Sequence, residues 1–320
     1  MSTDGVLREV RFSGRAVTLA GSLGVPRGSG GASPGVVLIG GSGSSDRDND
    51  TYFPPIRRHL LNAGFAVLSY DKRGVGESSG DWRASTLDDL AADAAAALDF
   101  LRARPGVRAD AVGLFGHSEG GWVALRAAAA RDDVPWVVTN SCPGTTPAAQ
   151  ERHALANSLR ARAAQRDTEG ILALYDRLTE AGRRGAGFTE ATELVDSAGS
   201  PSGLASYWAG MDERLWEFLA RKQDHDPVRD AARLRCPHLA IFGGADELVP
   251  VADSAGLFTT TACHPDRDPH ATLTVEVFPG ADHRVRTGEG AHLAPGYLSR
   301  LVQWIENRAP APASGRSPRP

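Results

Sequence analysis

Short apolar runs alternate with longer amphipathic segments along most of the chain. The apolar runs are typical of buried strands, and in chain order they read LREVRF, AVTLAGSLGV, GVVLIG, FAVLSY, DAVGLFG, PWVVTN, HLAIFGG and ATLTVEVFPG. Helices are predicted at YFPPIRRHLLNAG, STLDDLAADAAAALDFLRAR, EGGWVALRAAAA and LSRLVQWIENR. Strands that alternate with helices predict an α/β fold, with a mostly parallel sheet of about eight strands and helices on both faces.

The alternation stops between PWVVTN and HLAIFGG. Residues 145–230 are helix-like, rich in Ala, Arg, Glu and Leu, and show no strand pattern. We interpret them as a helical lid inserted into a core of residues 1–144 and 231–308, because the strand pattern resumes afterwards. A small independent domain is the other interpretation. Residues 309–320 are rich in Pro, Ala and Ser, which predicts a disordered tail.

Composition narrows the classes of function. The chain has 35 Lys and Arg against 39 Asp and Glu, a net charge of −4 without a basic stripe, so nothing favours nucleic-acid binding. Cys142, Cys236 and Cys263 are too few and too scattered to predict a disulfide framework or a zinc site. Neither a membrane-spanning run nor a signal-peptide pattern is apparent, so we expect a cytoplasmic protein. The sequence indicates no metal, no organic cofactor and no particular oligomeric state.

Two serines lie in a G-x-S-x-G pattern, Ser118 in GHSEG and Ser78 in GESSG. In a chain with 36 Gly the bare pattern is weak, since composition alone gives about 0.3 matches. A nucleophilic serine needs a sharp turn between a strand and a helix, which lifts its hydroxyl above the sheet edge. Ser118 has a buried-strand run before it and a helix after it, whereas loop residues surround Ser78. Ser118 is therefore the predicted nucleophile.

A serine nucleophile requires a histidine that removes its proton. His283 follows the last predicted strand and so lies at the sheet edge where Ser118 is expected, because the carboxyl ends of parallel strands share one edge. His270 precedes that strand and belongs to the opposite edge, and His292 is a weaker rival. His117 adjoins the nucleophile, but the turn is expected to point neighbouring side chains apart.

The histidine in turn requires a carboxylate that orients it. Asp246 lies in IFGGADELVP, just after a predicted strand, and is the favoured acid. Glu247 and Asp282 remain alternatives, although Asp282 is too close in sequence to bridge easily to the ring of His283. The order Ser, Asp, His along the chain is that of the α/β-hydrolases.

An oxyanion hole needs two backbone N–H donors. The first predicted donor is the amide of Glu119, directly after the nucleophile. The second comes from the loop GGSGSSDRD, where Ser42 is the candidate and Gly43 its neighbour. This loop lacks the lysine of a phosphate-binding P-loop, and no G-x-G-x-x-G follows the strand, which makes nucleotide binding the poorer interpretation.

The motifs GGSGSSDRD, YDKRGVGES, GHSEGG, FGGADELVP and GADH together resemble the α/β-hydrolase superfamily, over about residues 6–140 and 231–308. The first loop is similar to that of bacterial carboxylesterases with G-G-S-G-x-x-D-R-D. Two glycines replace the family's common H-G start of that loop, which keeps the backbone donor and removes a packing side chain. The resemblance implies a serine hydrolase.

We therefore expect a hydrolase that cleaves a small-molecule ester through a covalent acyl-enzyme. Thioesterase, acyltransferase and peptidase activities use the same machinery and remain alternatives, as does a catalytically silent ligand-binding protein of the same fold. In the predicted lid, Trp208 and Trp216 could line a pocket for the acyl group or could simply form its core.

Overall fold

The computed structural model describes residues 6–26, 32–161, 167–199, 204, 207–265, 267–288 and 292–308. The predicted disordered tail, residues 309–320, lies outside these ranges, and so do parts of the predicted lid.

An eight-stranded sheet forms the centre of the protein. Its strands are β1 (Val6–Ser13), β2 (Thr18–Val25), β3 (Ser33–Ile39), β4 (Ala66–Tyr70), β5 (Val107–His117), β6 (Val137–Asn140), β7 (His238–Gly243) and β8 (Leu273–Phe278). They lie side by side in the order β1-β2-β4-β3-β5-β6-β7-β8. Strand β2 pairs antiparallel with β1 and β4, and the other pairs are parallel. The predicted mostly parallel sheet of about eight strands is confirmed.

The helices of the described residues fall into two groups. Those that pack on the sheet or beside it are α1 (Phe53–Asn62), α2 (Leu87–Arg102), α3 (Glu119–Ala129), α8 (Pro227–Ala232), α9 (Val251–Ala262) and α10 (Tyr297–Glu306). Between β6 and β7 the chain forms α4 (Pro147–Ala161), α5 (Thr168–Arg183), α6 (Phe188–Ser197) and α7 (Glu213–Lys222). Helix α9 was not predicted, nor were the two-residue strands β9 (Arg286–Thr287) and β10 (His292–Leu293).

The sheet is covered on both faces. Side chains of β3 alternate between two apolar clusters: Val37 joins the one that contains residues of α2, α3 and α9, and Val36 and Leu38 join the one that contains residues of α1 and α10. All three are fully buried, as expected for a central parallel strand. Because β3, β5, β6, β7 and β8 run parallel, the loops that follow β3, β5, β7 and β8 lie at one edge of the sheet.

Helices α4 to α7 pack around a third apolar cluster of their own. Leu155 and Leu159 of α4 meet Leu174 and Leu178 of α5 there, and Trp216 of α7 joins them. The spacing of four residues places each pair on one face of its helix. We call α4 to α7 the helical segment.

A histidine at the start of β7 makes the stability of the fold sensitive to acid. Burial, and to a lesser degree Arg267, lowers the pKa of His238 from 6.5 to about 3. The unfolded chain thus binds this proton more readily, and stability is lost as the pH falls below about 6.5. We expect His238→Gln, which keeps a polar partner for Thr139 Oγ1, to remove about 2 kcal/mol of the loss in unfolding free energy between pH 7 and pH 5.

Urea unfolding of the wild type and the variant at several pH values measures this difference. The control is His270→Gln, which removes an exposed histidine and keeps the buried His238. Parallel profiles for the wild type and His238→Gln would contradict the prediction.

Candidate active site

Ser118 occupies a sharp turn between β5 and α3. Its φ of +54° and ψ of −123° lie in a region that residues other than glycine rarely adopt. Two backbone bonds hold the turn: the amide of Ser118 donates to Asn140 O at 2.9 Å, and Gly121 donates to Ser118 O at 2.8 Å. The side chain of Ser118 lines an open cavity at the sheet edge.

The glycines around Ser118 allow strand and helix to pass closely. A Cβ at Gly116 would overlap the carbonyl of Gly120, and a Cβ at Gly120 would overlap the carbonyl of Ile39. At Gly121 a Cβ would meet the side chain of Cys142. Backbone packing at this turn therefore requires Gly116 and Gly120, and the side chain of Cys142 leaves room for glycine alone at position 121.

Ser78, in the second copy of the pattern, has a different role. It is 7% exposed, and its hydroxyl donates to Asp71 O at 2.7 Å while accepting from the Ala20 amide at 2.9 Å. It thereby ties the loop after β4 to β2. Both hydrogen bonds of this hydroxyl join parts of the fold to each other.

His283 and Asp246 meet across two adjacent loops. His283 Nδ1 lies 2.7 Å from Asp246 Oδ2, and the carboxylate of Asp246 is fully buried. The other oxygen, Asp246 Oδ1, accepts from the amides of Leu248 at 2.8 Å and Val249 at 3.0 Å. The Ala245 amide also donates to Ala281 O at 2.8 Å, so backbone and side chains hold the loops after β7 and β8 together.

The alternative acids and histidines lie elsewhere. Asp282 Oδ1 accepts from the amides of Arg284 and Arg286, both at 2.8 Å, which organises its own turn. Glu247 is exposed, and so are His270, which precedes β8, and His292 in β10. Within the described residues, His283 and Asp246 are therefore the histidine and the carboxylate that contact each other at this edge.

Ser118 and His283 line the same cavity, which has a volume of about 720 Å³. Gly41 and Ser42 of the loop after β3 lie in its wall, and α4 contributes Glu151. The cavity thus brings together the loops after β3, β5 and β8, with one wall supplied by the helical segment. Its size is that of a small-molecule site.

The loop after β3 is held from both sides at Gly41. The amide of Gly41 donates to Asn49 Oδ1 at 3.2 Å, and Lys72 Nζ donates to Gly41 O at 2.6 Å. Ser42 follows and lines the cavity, whereas Gly43 adopts a φ of +76° outside the residues of the cavity wall. Of the two loop candidates, Ser42 is the one that shares the cavity with Ser118.

His117 contributes more than the sequence indicated. It lines the cavity, and its Nδ1 lies 2.9 Å from Asn49 Nδ2, so Nε2 carries the proton and faces His283 O at 3.3 Å. Burial lowers the pKa of His117 well below its ordinary value, which keeps the ring neutral. His117 thus links the loop after β3 to the backbone of His283. The sequence held one signal of this role, since His117 is a polar residue at the end of the apolar run of a strand.

Trp208 and Trp216 lie in the helical segment, outside the wall of the catalytic cavity. Both line a second pocket beside it, where Trp208 stacks on Phe188 with ring centroids 5.8 Å apart. Trp216 Nε1 donates to Ala186 O at 2.8 Å. Glu151 lines both pockets, so the two adjoin at this residue.

Metal-binding side chains are not grouped in the part of the chain that the structure describes. Within those ranges, no three His, Cys, Asp or Glu side chains come together in a way that could hold a metal ion. The helices described there also include none that is long and apolar enough to cross a membrane.

A family model described as the alpha/beta hydrolase family matches residues 36–295. The chain belongs to this family. The match spans the loops that hold Ser118, Asp246 and His283. The sheet order and the turn at Ser118 agree with the resemblance that the sequence motifs indicated.

The chain is similar to known proteins, at low sequence identity or over a short part of its length. Esterase EstD of Thermotoga maritima is 26% identical over 286 residues, which cover 88% of this chain and 61% of EstD. The mitochondrial palmitoyl-protein thioesterase ABHD10 of Homo sapiens is 35% identical over 103 residues, 32% of this chain and 31% of that protein. The chain thus spans less than two thirds of the length of both relatives. The solved structure of an esterase of Pyrococcus furiosus shares the fold with a TM-score of 0.65 and 18% identity, covering 96% of this chain and 92% of that one.

Proposed function

We propose that the protein is a serine hydrolase that cleaves a small-molecule carboxylic ester through a covalent acyl-enzyme. The observation that carries this proposal is the 2.7 Å contact of Asp246 with His283, in a cavity that His283 shares with Ser118. A serine hydroxyl is a weak nucleophile until a base removes its proton, and a histidine held by a carboxylate is such a base. The similarity to EstD, which is named an esterase, supports the same reaction.

In the first half-reaction, Ser118 Oγ attacks the ester carbonyl and His283 Nε2 takes the hydroxyl proton. The charged oxygen that forms is held by the amides of Ser42 and Glu119, while Asp246 stabilises the imidazolium. Collapse breaks the bond to the leaving alcohol, which receives the proton from His283. In the second half-reaction, His283 deprotonates a water that attacks the acyl carbon. The bond from that carbon to Ser118 Oγ then breaks, Ser118 takes the proton back from His283, and the carboxylic acid leaves.

A thioester is the second candidate substrate. The local similarity to ABHD10, named a palmitoyl-protein thioesterase, favours it over an amide or an acyl-transfer reaction. The same residues would perform the chemistry, because only the leaving group changes from an alcohol to a thiol.

Two measurements on the purified protein test the proposed function. A fluorophosphonate probe followed by intact-mass analysis and peptide mapping should give one adduct, on Ser118. Matched p-nitrophenyl and S-acyl substrates with the same acyl group should then show which bond is cleaved faster. A protein that forms no adduct and turns over neither substrate would be a ligand-binding member of the fold.

We further propose that the pocket of Trp208 and Trp216 selects the acyl group. The pocket is mainly apolar, apart from Glu151, Lys222 and a few other polar residues, and it adjoins the catalytic cavity at Glu151. Trp208→Ala and Trp216→Ala are expected to change the ranking of kcat/KM across p-nitrophenyl esters from acetate to dodecanoate. Each lost aromatic contact should cost about 1–3 kcal/mol of transition-state binding for the preferred acyl group.

Trp304 provides the matched control. It packs in the cluster on the α1 and α10 face, and its Nε1 donates to Thr274 Oγ1 at 3.0 Å. Trp304→Ala should lower stability and leave the ranking of esters unchanged. The same ranking in all three folded variants would assign Trp208 and Trp216 to the core of the helical segment alone.

A further inference from the structure

A buried cluster of three charged side chains lies directly behind the turn of Ser118. The Glu119 carboxylate is fully buried and receives one lysine on each oxygen: Lys72 Nζ at 2.8 Å from Oε1 and Lys222 Nζ at 2.6 Å from Oε2. The lysine side chains are 9% and 6% exposed. Burial opposes the charge of Glu119, but Lys222 and Lys72 outweigh it and hold the pKa of the carboxyl well below its ordinary value.

The two lysines differ in what else they contact. Lys222 comes from the end of α7, and its ammonium group lies over the ring of Phe218, 4.6 Å from the centroid. Lys72 comes from the loop after β4 and also donates to Gly41 O at 2.6 Å. Lys72 alone of this pair therefore reaches the loop after β3.

The bond from Lys72 to Gly41 O acts on the next amide. Gly41 C=O and Ser42 N–H belong to one peptide unit, and the described residues contain no cis peptide bond. In a trans peptide these two groups point in opposite directions. A lysine that holds the carbonyl on one side therefore directs the Ser42 N–H to the other side. Both Gly41 and Ser42 line the cavity of Ser118.

The charge of Lys72 has a second consequence. A cation on a carbonyl oxygen polarises the peptide bond and makes its N–H a stronger donor. The residues on either side of this peptide are also held: Asn49 Oδ1 accepts from the Gly41 amide, which belongs to the preceding peptide unit, and Ser42 Oγ lies 3.4 Å from Glu119 Oε2. Glu119 in turn supplies the other proposed oxyanion donor from its own amide.

We propose that Lys72 is a positioning residue that orients and polarises the Ser42 N–H for the oxyanion of the ester reaction. The inference rests on the proposed function. Lys72 touches no reacting atom. It acts through the Gly41–Ser42 peptide, while Glu119 fixes the position of its ammonium group.

Lys72→Met and Lys222→Met form a matched pair that tests this role. Each removes one buried cation from Glu119, but only the first releases Gly41 O. Lys72→Met is expected to lower kcat by about 10²–10³-fold with little change in KM, since an oxyanion donor acts mainly on the transition state. The decrease in kcat in Lys222→Met should be smaller than that in Lys72→Met by about tenfold or more.

A trifluoromethyl ketone gives a readout that a structural role would not move. It forms a tetrahedral adduct with Ser118 whose oxyanion occupies the hole, so its inhibition constant should rise with the loss in kcat in Lys72→Met and should rise about tenfold less in Lys222→Met. Equal losses of kcat and of inhibitor affinity in both variants would reduce Lys72 to a counter-ion of Glu119. If the wild type turns over no ester, the proposed function fails first.

A second pair serves if Lys72→Met does not fold. Glu119→Gln removes the charge of the carboxyl and keeps the lysine bond to Gly41, and Lys72→Met/Glu119→Gln removes both. The kcat of Lys72→Met/Glu119→Gln should be lower than that of Glu119→Gln by about 10²-fold or more. Equal rates in this pair would overturn the inference.

Discussion

Ser118→Ala is expected to reduce kcat for ester hydrolysis by about 10⁴-fold or more while the fold persists. The variant loses the hydroxyl of the proposed nucleophile. The structure describes no hydrogen bond of this side chain that would be lost with it. Both bonds that hold the turn, to Asn140 O and from Gly121, are made by the backbone of residue 118. Alanine also lacks the hydroxyl that a fluorophosphonate would label.

Ser78→Ala is the control for this prediction, because it removes a serine from the same sequence pattern. Its hydroxyl bonds to Asp71 O and to the Ala20 amide, so the variant should lose stability, by about 1–3 kcal/mol for the buried groups left unpaired, and keep its turnover. Initial rates on a p-nitrophenyl ester and thermal unfolding separate the two effects. A fully active Ser118→Ala would end the proposed mechanism.

Asp246→Asn is expected to lower kcat by about 10⁴-fold, the second large effect. Asp246 Oδ1 accepts from the amides of Leu248 and Val249, and in the variant the asparagine oxygen would keep these bonds. Its NH₂ group would then face His283 and donate to Nδ1. His283 would be left with its proton on Nε2, the nitrogen that must accept the proton of Ser118.

His283→Ala should be impaired to a similar extent, since it removes the base itself. The controls are the two other acids near this edge, tested as Glu247→Gln and Asp282→Asn. Glu247→Gln should retain turnover, and Asp282→Asn should weaken the turn that Arg284 and Arg286 close. Wild-type kcat in Asp246→Asn, together with a severe loss in one of the controls, would move the acid to that residue.

Much of the fold was predictable because it is written in local patterns. The eight strands are apolar runs of a few residues, and helices such as α2 repeat their apolar positions at helical spacing. Helix α9, Val251–Ala262, was missed because its sequence VADSAGLFTTTA has a weak apolar period and three threonines in its last turns. Strands β9 and β10 have two residues each, too few to show any pattern.

The sequence by itself determined the residue types of the candidate site and their order along the chain. Ser118, Asp246 and His283 each follow a strand of the parallel sheet, and a parallel sheet brings such loops to one edge whatever the detailed packing. The strand-to-helix context also separated Ser118 from Ser78 without any structure. Both conclusions depend only on a few neighbouring residues and on the shared edge at which parallel strands end.

Only the tertiary structure decided how that site is supported. The carboxylate of Glu119 meets Lys72 and Lys222, 47 and 103 residues away in the chain, and the ring of His117 meets Asn49, 68 residues away. Trp208 likewise lies in a pocket beside the catalytic cavity instead of in its wall. No local pattern encodes such contacts. They form because distant segments bury polar side chains together, and each buried charge or donor must then find a partner.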